Sequence, residues 1–292
     1  KMKNIDTNIR GVFITQWLDK TNKRVVITHN GCEDGRGTAG VIEYFNKLHN
    51  VKTDELLFLN YDDYDMDQLM KICNEALVYV GDFSFMGENY CKLESVAKQF
   101  IIVDHHETPY NDVISEYPNT HFDKCKSGAY LTYEFFFKDT PSIGLFHHNE
   151  IGIPDIIKYI SDRDLYQFKF GVETKANHMM LREQTENDPS IIVDYIENPD
   201  QLKESIEPYI AKVESYEAKC IKRAKDAVPF TIRGIEFYGL NLTTAISDTL
   251  NAVSKMFNKP SVGYWVKEDS IQFSLRNGSD VEIDLSLLAK EF

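Results

Sequence analysis

Residues that commonly bind divalent metal ions occur in four separated clusters. The clusters are residues 28–37, 80–83, 103–107 and 161–164, with the sequences THNGCEDGRG, VGDF, VDHHE and SDRD. Hard and borderline divalent ions prefer carboxylate oxygens mixed with a few imidazoles, whereas thiolates select softer metals. The sequence therefore predicts a metal centre, and its candidate ligands are His29, Asp34, Asp82, His105 and Asp162.

The number of candidate ligands favours two metal ions, which Asp82 could bridge because it is central in the set. Two ions about 3.5 to 4 Å apart activate water and stabilise both the attacking and the leaving oxygen of a phosphoryl displacement. The set therefore indicates phosphoester chemistry. Gly31, Gly35 and Gly37 would let the backbone turn sharply and approach a phosphate at the start of a helix.

Three of the four clusters directly follow a short apolar run that is typical of a β-strand buried on both faces. The runs are residues 25–27, 77–80 and 100–103. Residues 37–48 lie between two of these runs and have apolar side chains at helical spacing. Strands that alternate with helices form parallel sheets, and ligands bind outside the carboxyl ends of such strands. We therefore expect the clusters to converge in one crevice.

The bulk composition limits the class of protein. The chain has 292 residues, of which 42% are hydrophobic, so two domains are favoured. Apolar stretches long enough for a membrane helix and a signal core are both absent, which predicts a soluble protein without a membrane partner. The five scattered cysteines predict the cytoplasm. A net charge of −14 disfavours binding of long duplex nucleic acid, while small anionic substrates remain allowed.

The predicted fold class is α/β, with a parallel-sheet domain that has helices on both faces and a smaller C-terminal α/β domain. The first domain is predicted over residues 1–172, a helical connector over 173–226 and the second domain over 227–292. Within the second domain, the sequence predicts a hairpin, a helix and two strands, at residues 230–239, 244–257, 261–266 and 271–276.

Together, the motifs resemble those of the DHH phosphoesterase superfamily, which is named for a triplet such as Asp104-His105-His106. The matching segments are HNGCEDGRGTAG, VGDFSF, VDHHET, FDKCKSGAYLTYEFF and YISDRDLYQF, which span residues 25 to about 170. The combination is similar to the branch of nanoRNA-degrading oligoribonucleases and cyclic-nucleotide phosphodiesterases. The resemblance implies that residues 227–292 are a DHH-associated substrate-binding domain, whose pattern residues 274–276 and 283–289 fit. In that domain a glycine-rich stretch with a histidine would come next, so either the domain continues beyond Phe292 or this protein closes its site differently.

The resemblance also implies roles for individual residues. The five candidate ligands would bind metal, with Asp164 as the alternative to Asp162. His106 would face the substrate phosphate, while Asp104 would orient the neighbouring histidines or bind metal directly. Arg163 would meet phosphate or brace its loop. The predicted substrate-binding residues are Ser127, Gly128, Arg276 and Arg36.

Two residues depart from the pattern of the superfamily. Cys32 occupies a position that is commonly aspartate, so one ion is expected to bind weakly. We expect Cys32 to be a small buried residue beside the site rather than a nucleophile. Arg36 replaces a residue that is usually aromatic, and it therefore bears on substrate preference.

The predicted function is hydrolysis of short RNA or linear dinucleotides to nucleoside monophosphates, in a cleft between the domains that measures substrate length. Two Mn²⁺ ions are the predicted cofactor, with Mg²⁺ or Co²⁺ as alternatives, and a homodimer is compatible with the sequence. The alternative activities are those of a cyclic mono- or dinucleotide phosphodiesterase, a 3′-phosphoadenosine 5′-phosphate phosphatase and a polyphosphatase. Outside the enzyme class, the alternative is a nucleotide-binding regulator with weakened catalysis.

Overall fold

The structure is a computed structural model, and it describes residues 2–61, 63–107, 117–138, 152–184, 187–267, 270–278 and 285. The chain forms two compact units, Lys1–Ile210 and Ala211–Phe292. The predicted pattern over residues 283–289 lies outside the described residues except for Leu285.

The first unit is built on a mixed six-stranded sheet with the strand order β1-β6-β5-β4-β2-β3. Strands β2 to β6 are parallel, and only the short edge strand β1 is antiparallel. The strands are β1 (Met2–Lys3), β2 (Arg24–His29), β3 (Glu55–Leu59), β4 (Leu77–Gly81), β5 (Gln99–Asp104) and β6 (Thr120–Asp123). The three strands that the apolar runs predict, β2, β4 and β5, are adjacent at the centre of the sheet. Their carboxyl ends therefore meet.

Helices cover both faces of this sheet, as the sequence predicts. The helices between its strands are α1 (Thr7–Leu18), α2 (Glu33–His49), α3 (Met66–Cys73) and α4 (Asn89–Val96), and α5 (Gly128–Phe137) follows β6. On one face, Leu69 of α3 and Leu93 of α4 belong to a cluster that includes Val78 and Val80 of β4. Successive side chains of a strand point to opposite faces, so Tyr79 lies on the other face.

The second face of the sheet packs on an aromatic cluster. The ring of Tyr79 lies 5.2 Å from that of Phe136 on α5 and 6.4 Å from that of Phe13 on α1. Phe45 of α2 contacts the same Phe136, with a separation of 4.8 Å between ring centroids. Full burial of a side chain of this size contributes roughly 1.5 to 3 kcal/mol. This apolar packing fixes α2 and α5, which both begin at the carboxyl edge of the sheet.

The residues predicted as a connector are largely helical. After α6 (Asp155–Asp164) come α7 (Val172–Arg182), α8 (Ser190–Glu197) and the long helix α9 (Pro199–Ala224). Helix α8 packs closely on α2, because a Cβ placed on Gly40 would lie only 2.4 Å from Cβ of Ile192. Residues 172–197 thus belong to the core of the first unit, and the division between the two units falls inside α9.

The second unit has a four-stranded sheet with the strand order β10-β9-β8-β7. Its elements are β7 (Val228–Ile232), β8 (Ile235–Asn241), α10 (Ile246–Phe257), β9 (Ser261–Lys267) and β10 (Ser270–Arg276). The predicted hairpin, helix and two strands are all present. Leu250 and Val253 of α10 form a small core with Leu240 and Leu242. Among the described helices of the whole chain, none is both long enough and apolar enough to span a membrane.

Candidate metal centre

The carboxyl ends of β2, β4 and β5 bring the predicted ligands together. His29 is the last residue of β2, Asp82 follows β4, and Asp104 ends β5. Nε2 of His105 lies 3.3 Å from Oδ1 of Asp82. Asp82 has a positive φ of 53°, an uncommon conformation for a non-glycine residue that turns its side chain back into the crevice. The predicted convergence is therefore observed.

Three groups of side chains have donor atoms that lie within 4.8 Å of one another, close enough to share a metal ion. The first group is Asp82, Asp104, His105 and His106, the second is His29, Cys32 and Asp82, and the third is Asp34, His105 and Asp164. Asp82 and His105 each belong to two groups. The two oxygens of Asp82 could bridge two neighbouring ions, whereas Nε2 of His105 can bind only one.

Nε2 of His105 is the clearest sign of a cation site. This atom is buried and has no hydrogen-bond partner among the described residues. Besides Asp82, it faces Oδ2 of Asp34 and Oδ2 of Asp164, each at 3.5 Å. Ligands that surround one divalent ion at about 2.1 Å are separated by similar distances of about 3 Å. An imidazole nitrogen and three carboxylates in this arrangement fit a divalent cation.

The carboxylates repel one another in the absence of a cation. Burial and then the neighbouring charge of Asp34 raise the pKa of Asp82 well above its ordinary value. Burial and the charge of Asp34 likewise raise the pKa of Asp164, to about 7. A divalent ion would remove this repulsion and stabilise the ionised carboxylates.

Asp34 is held in place by the N-terminus of α5. Its carboxylate accepts hydrogen bonds from the amides of Gly128, at 2.6 Å, and Ala129, at 2.9 Å. The free amides and the dipole of a helix N-terminus favour an anion, and here that anion is a side chain of the protein itself. Gly128 is required for this approach, since a Cβ at that position would lie 2.3 Å from Cβ of Asp82.

This contact engages the amide of Gly128 that was predicted to donate to substrate, while the predicted donation by the hydroxyl of Ser127 stays a prediction. Ser127 is fully buried and caps α5, with its Oγ accepting from the amide of Tyr130 at 3.3 Å. Its own amide donates to Oγ of Ser161. The pair therefore orients Asp34 and starts α5, and both of its backbone amides already donate within the protein.

Asp104 lies behind the two histidines. Its Oδ1 accepts from Nδ1 of His106 at 2.8 Å and from the amide of His105 at 2.7 Å. Its Oδ2 accepts from Oγ of Ser84 at 2.6 Å. Burial raises the pKa of Asp104, but the hydrogen bond and charge of His106, the charge of His105 and the hydrogen bond from Ser84 together lower it below its ordinary value. The sequence did not single out Ser84, although it lies in the VGDFSF segment.

His106 is the more accessible histidine of the triplet, with its side chain 34% exposed. Burial would lower the pKa of His106, but the hydrogen bond and charge of Asp104 raise it to about 9. Because Asp104 accepts from Nδ1, the rest of the ring is left to face the crevice.

Comparison of the sequence with known proteins gives a relative whose function is uncharacterized. No family model matches the sequence. An uncharacterized protein of Acanthamoeba polyphaga mimivirus is 29% identical over 180 residues, which cover 58% of this chain and 40% of that protein. The chain thus spans less than half the length of this relative.

Several solved structures are similar to the chain at low sequence identity. A DHH domain from a member of the s1p family of ribosomal proteins has a TM-score of 0.63 at 12% identity, over 98% of this chain and 84% of that one. Exonuclease RecJ, crystallised with manganese, has a TM-score of 0.52 at 11% identity, over 100% and 86%. An exopolyphosphatase-related protein of Bacteroides fragilis has a TM-score of 0.50 at 14% identity, over 93% and 84%. This chain has the DHH-domain fold.

Within the DHH-domain fold of this chain, Asp164 rather than Asp162 reaches the crevice. The carboxylate of Asp162 accepts from the amides of Lys169 and Phe170, at 2.8 and 3.2 Å, and from Oγ1 of Thr174 at 2.5 Å. It is 3% exposed and belongs to none of the three donor groups. The prediction that Asp162 is a metal ligand is therefore corrected, since its acceptor oxygens already hold the turn after α6.

Arg163, between these two aspartates, braces the same turn. Its guanidinium carbon lies 5.1 Å from the ring centroid of Tyr166 and 5.4 Å from that of Phe168. Both aromatic residues have positive φ angles, so the turn is strained and benefits from such contacts. Of the two roles predicted for Arg163, these contacts support bracing.

The two other predicted substrate-binding arginines bond to the protein. Arg36 is 4% exposed, and its Nη2 donates to the carbonyl of Leu181 at 2.7 Å, joining α2 to α7. This burial does not favour the predicted contact of Arg36 with substrate, which stays a prediction. In the second unit, Nη2 of Arg276 donates to Oγ of Ser247 at 2.7 Å. Its predicted role as a phosphate anchor stays a prediction.

Tyr61 is a neighbour of the centre that the sequence did not indicate. Its ring stacks on Phe83 with 4.7 Å between centroids, and it lies 5.5 Å from the ring of His29 and 6.1 Å from that of His106. Tyr61 follows the carboxyl end of β3. The apolar run ELLFL could have located that strand, and with it this edge residue.

Proposed function

We propose that this protein is a metal-dependent phosphoesterase that hydrolyses short oligoribonucleotides or linear dinucleotides to nucleoside monophosphates. The single observation that carries the proposal is the buried Nε2 of His105, which faces three carboxylates without a hydrogen-bond partner among the described residues. Such an arrangement calls for a cation, and a buried cation beside the partly exposed His106 suits an anionic phosphoester.

The similarity in fold supports the same class of reaction. RecJ is an exonuclease whose crystal structure contains manganese, and the protein from Bacteroides fragilis is exopolyphosphatase-related. The first name describes an enzyme that cleaves phosphodiester linkages, and the second describes a relative of an enzyme that cleaves polyphosphate. We therefore extend phosphoester hydrolysis, with Mn²⁺ as the first metal to test, to this chain.

The residues of the centre have complementary roles in the proposal. The metal-holding residues are His29, Asp34, Asp82, His105 and Asp164. Divalent ions bound there supply Lewis-acid chemistry, which lowers the pKa of water and neutralises the charge of a phosphoester. The amides of Gly128 and Ala129 keep the carboxylate of Asp34 oriented toward His105. They thereby reduce the reorganisation that binding would require.

His106 and Asp104 act together toward substrate. Asp104 fixes the ring of His106 through Nδ1, and Ser84 in turn fixes Asp104. The partly exposed ring can then donate to a phosphate oxygen as negative charge develops in the transition state. Replacing His106 should therefore lower kcat more than it weakens metal binding.

Aromatic side chains beside the centre favour a nucleotide over inorganic polyphosphate. Tyr61 is partly exposed and stacks on Phe83, close to both His29 and His106. Stacking of a base on an exposed aromatic ring contributes about 1 to 3 kcal/mol. A pocket of about 220 Å³ beside Cys32 is lined by Arg182 and the buried Arg36 but also by Glu33, so its charge is mixed and does not itself select a substrate.

The test is a substrate panel incubated with metal-stripped protein, with and without Mn²⁺. The panel contains RNA dimers to decamers, cyclic mono- and dinucleotides, 3′-phosphoadenosine 5′-phosphate and polyphosphate, and chromatography resolves the products. Asp82→Asn and His105→Gln should abolish turnover. Asp67→Asn is the matched control, because Asp67 is exposed on α3 and away from the donor groups.

The proposal expects Mn²⁺-dependent release of mononucleotides from the shortest RNAs, with no product from either site variant and unchanged product from Asp67→Asn. Preference for a cyclic nucleotide or for 3′-phosphoadenosine 5′-phosphate would retain the phosphoesterase and replace its substrate. Turnover that survives in Asp82→Asn and His105→Gln would refute the proposed centre.

A further inference from the structure

Cys32 lies among the donor atoms at one end of the candidate metal centre. Its Sγ is 3.5 Å from Nδ1 of His29 and 3.4 Å from Oδ2 of Asp82. All three residues offer a ligand atom within 4.8 Å of the others. The sulfur is therefore one corner of a nitrogen, sulfur and oxygen donor triangle.

The backbone holds this triangle in a fixed shape. Cys32 is the N-cap of α2, and its Sγ accepts from the amide of Gly35 at 3.1 Å. A Cβ on Gly35 would lie 2.1 Å from the carbonyl oxygen of His29, so the loop between His29 and α2 can close this tightly only with glycine. The turn therefore places the sulfur against the end of β2.

A second observation points to a cation next to the sulfur. Asp82, whose Oδ2 faces Cys32, presents its Oδ1 to Nε2 of His105. This nitrogen has no hydrogen-bond partner in the described part of the chain, and the His105 side chain is 10% exposed. Oδ1 of Asp82 thus faces His105, which also lies close to the carboxylates of Asp34 and Asp164. Oδ2 faces Cys32, the only cysteine in the three donor groups.

We propose that Cys32 is a thiolate ligand of the ion at His29 and Asp82, and that this position selects a borderline metal such as Zn²⁺ or Co²⁺. The Asp34, His105 and Asp164 group would keep the preference for Mn²⁺ or Mg²⁺ that oxygen ligands confer. The two halves of the centre would therefore differ in metal preference. This inference rests on the metal centre of the proposed function and adds the identity of one ligand and its metal.

The chemistry of binding is a proton exchange. The Sγ–H bond of Cys32 breaks, the proton passes to water, and the sulfur electron pair forms the bond to the metal. Burial and the charges of Asp82 and Asp34 raise the pKa of the Cys32 thiol, and the amide of Gly35 only partly opposes them. The charge of a bound divalent ion would therefore supply most of the stabilisation of the negative sulfur. The step neither oxidises nor reduces any group.

The inference explains how a cysteine can replace a carboxylate in this motif without loss of the ion. Sulfur and oxygen both donate to divalent metals, but thiolate ligands shift the preference toward softer ions. The weak binding expected from the sequence then applies to Mn²⁺ at this half of the centre, whereas Zn²⁺ or Co²⁺ should bind tightly.

The test is titration of metal-stripped protein with Co²⁺, followed by absorption spectroscopy. A cobalt–thiolate bond gives an intense charge-transfer band in the near ultraviolet, which oxygen and nitrogen ligands do not give. We expect this band in wild type and in Cys91→Ser, whose cysteine is exposed on α4. We expect no band in Cys32→Ser, in which the serine hydroxyl can still cap α2.

A competition assay gives an independent reading of metal preference. Cys32→Asp should lower the ratio of Zn²⁺ affinity to Mn²⁺ affinity by at least about tenfold. Even substitutions of residues that only support the ligands change metal affinity by about 10- to 100-fold. Circular dichroism would verify that each variant is folded.

The outcomes separate this inference from the proposed function. Stoichiometric Co²⁺ binding without the band in wild type would overturn thiolate ligation and leave the metal centre intact. A band that persists in Cys32→Ser would also overturn it. Absence of Co²⁺ binding to wild type would contradict both the inference and the centre on which it rests.

Discussion

Asp162 and Asp164 are two residues apart on the same helix, and the structure gives them opposite surroundings. Three donors surround the carboxylate of Asp162, two of them backbone amides of the following turn. The carboxylate of Asp164 instead faces Nε2 of His105, with two further carboxylates close to the same atom. One aspartate is stabilised by the protein, whereas the other adds to a negative cluster that calls for a cation.

Asp34 combines both situations. It accepts two backbone amides at the start of α5, yet its Oδ2 remains 3.5 Å from Nε2 of His105. Hydrogen bonds from the backbone therefore do not by themselves exclude a functional role. Asp34 differs from Asp162 because one of its oxygens still faces Nε2 of His105, which has no hydrogen-bond partner among the described residues.

The largest expected effect is the loss of metal binding on replacing Asp164. Asp164→Asn removes a charged ligand, and we expect metal affinity to fall more than about a hundredfold, since outer-shell changes alone cost 10- to 100-fold. Without metal, the variant should be at least as stable as wild type, because one repelling charge is gone. Titration with Mn²⁺ and urea unfolding measure the two effects, and unchanged affinity would contradict the assignment.

Asp162→Asn should give the reverse result. The asparagine cannot accept from all three donors as a carboxylate does, and hydrogen bonds to charged groups contribute about 1.5 to 3 kcal/mol each. We expect the free energy of unfolding to fall by roughly 2 to 3 kcal/mol. Metal affinity of the folded protein should change little. A variant of normal stability that has lost its metal would show that Asp162 is a ligand after all.

Gly128→Ala tests whether the start of α5 positions Asp34. The added Cβ would lie 2.3 Å from Cβ of Asp82, so α5 must shift and the free energy of unfolding should fall by about 1 to 3 kcal/mol. Metal affinity should fall as well. Gly11→Ala is the matched control, because no atom lies within 4 Å of its added Cβ, and this helix position should gain about 0.5 to 1 kcal/mol. Equal behaviour of the two variants in urea unfolding would refute the close approach.

The smallest effect is expected for Arg163→Ala, which removes the contacts with Tyr166 and Phe168. We expect a loss of about 1 kcal/mol in the free energy of unfolding, with metal affinity and KM close to those of wild type. Urea unfolding and steady-state kinetics would show this. A large rise in KM at unchanged stability would instead assign Arg163 to phosphate binding.

The central strands of the fold could be predicted because they are strongly apolar. Strands β2, β4 and β5 are buried on both faces, and their runs of branched and aromatic residues show this directly. Strand β6, with the sequence THFD, carries no such pattern, because it is short and ends beside the polar residues of the site. Its place in the sheet follows from pairing with β5, which local sequence does not encode.

The candidate metal ligands could be predicted where a strand ends with them at the carboxyl edge of the sheet, as at His29 and Asp82. The SDRD segment lies on helix α6, where residues two apart project about 200° apart around the axis. The motif alone could not specify which aspartate faces the crevice. Tyr61 and Ser84 were missed because their residue types are common and only the fold brings them to the histidines.

The central claim is that the carboxyl ends of β2, β4 and β5 form a metal centre, and the most direct test is Mn²⁺ binding to metal-stripped protein by calorimetry. Wild type should bind Mn²⁺ tightly at the carboxylate-rich group and more weakly at the group that contains Cys32. Asp82→Asn should lose both binding events, while Asp67→Asn should retain them. Binding by Asp82→Asn with the stoichiometry and affinity of wild type would contradict the account.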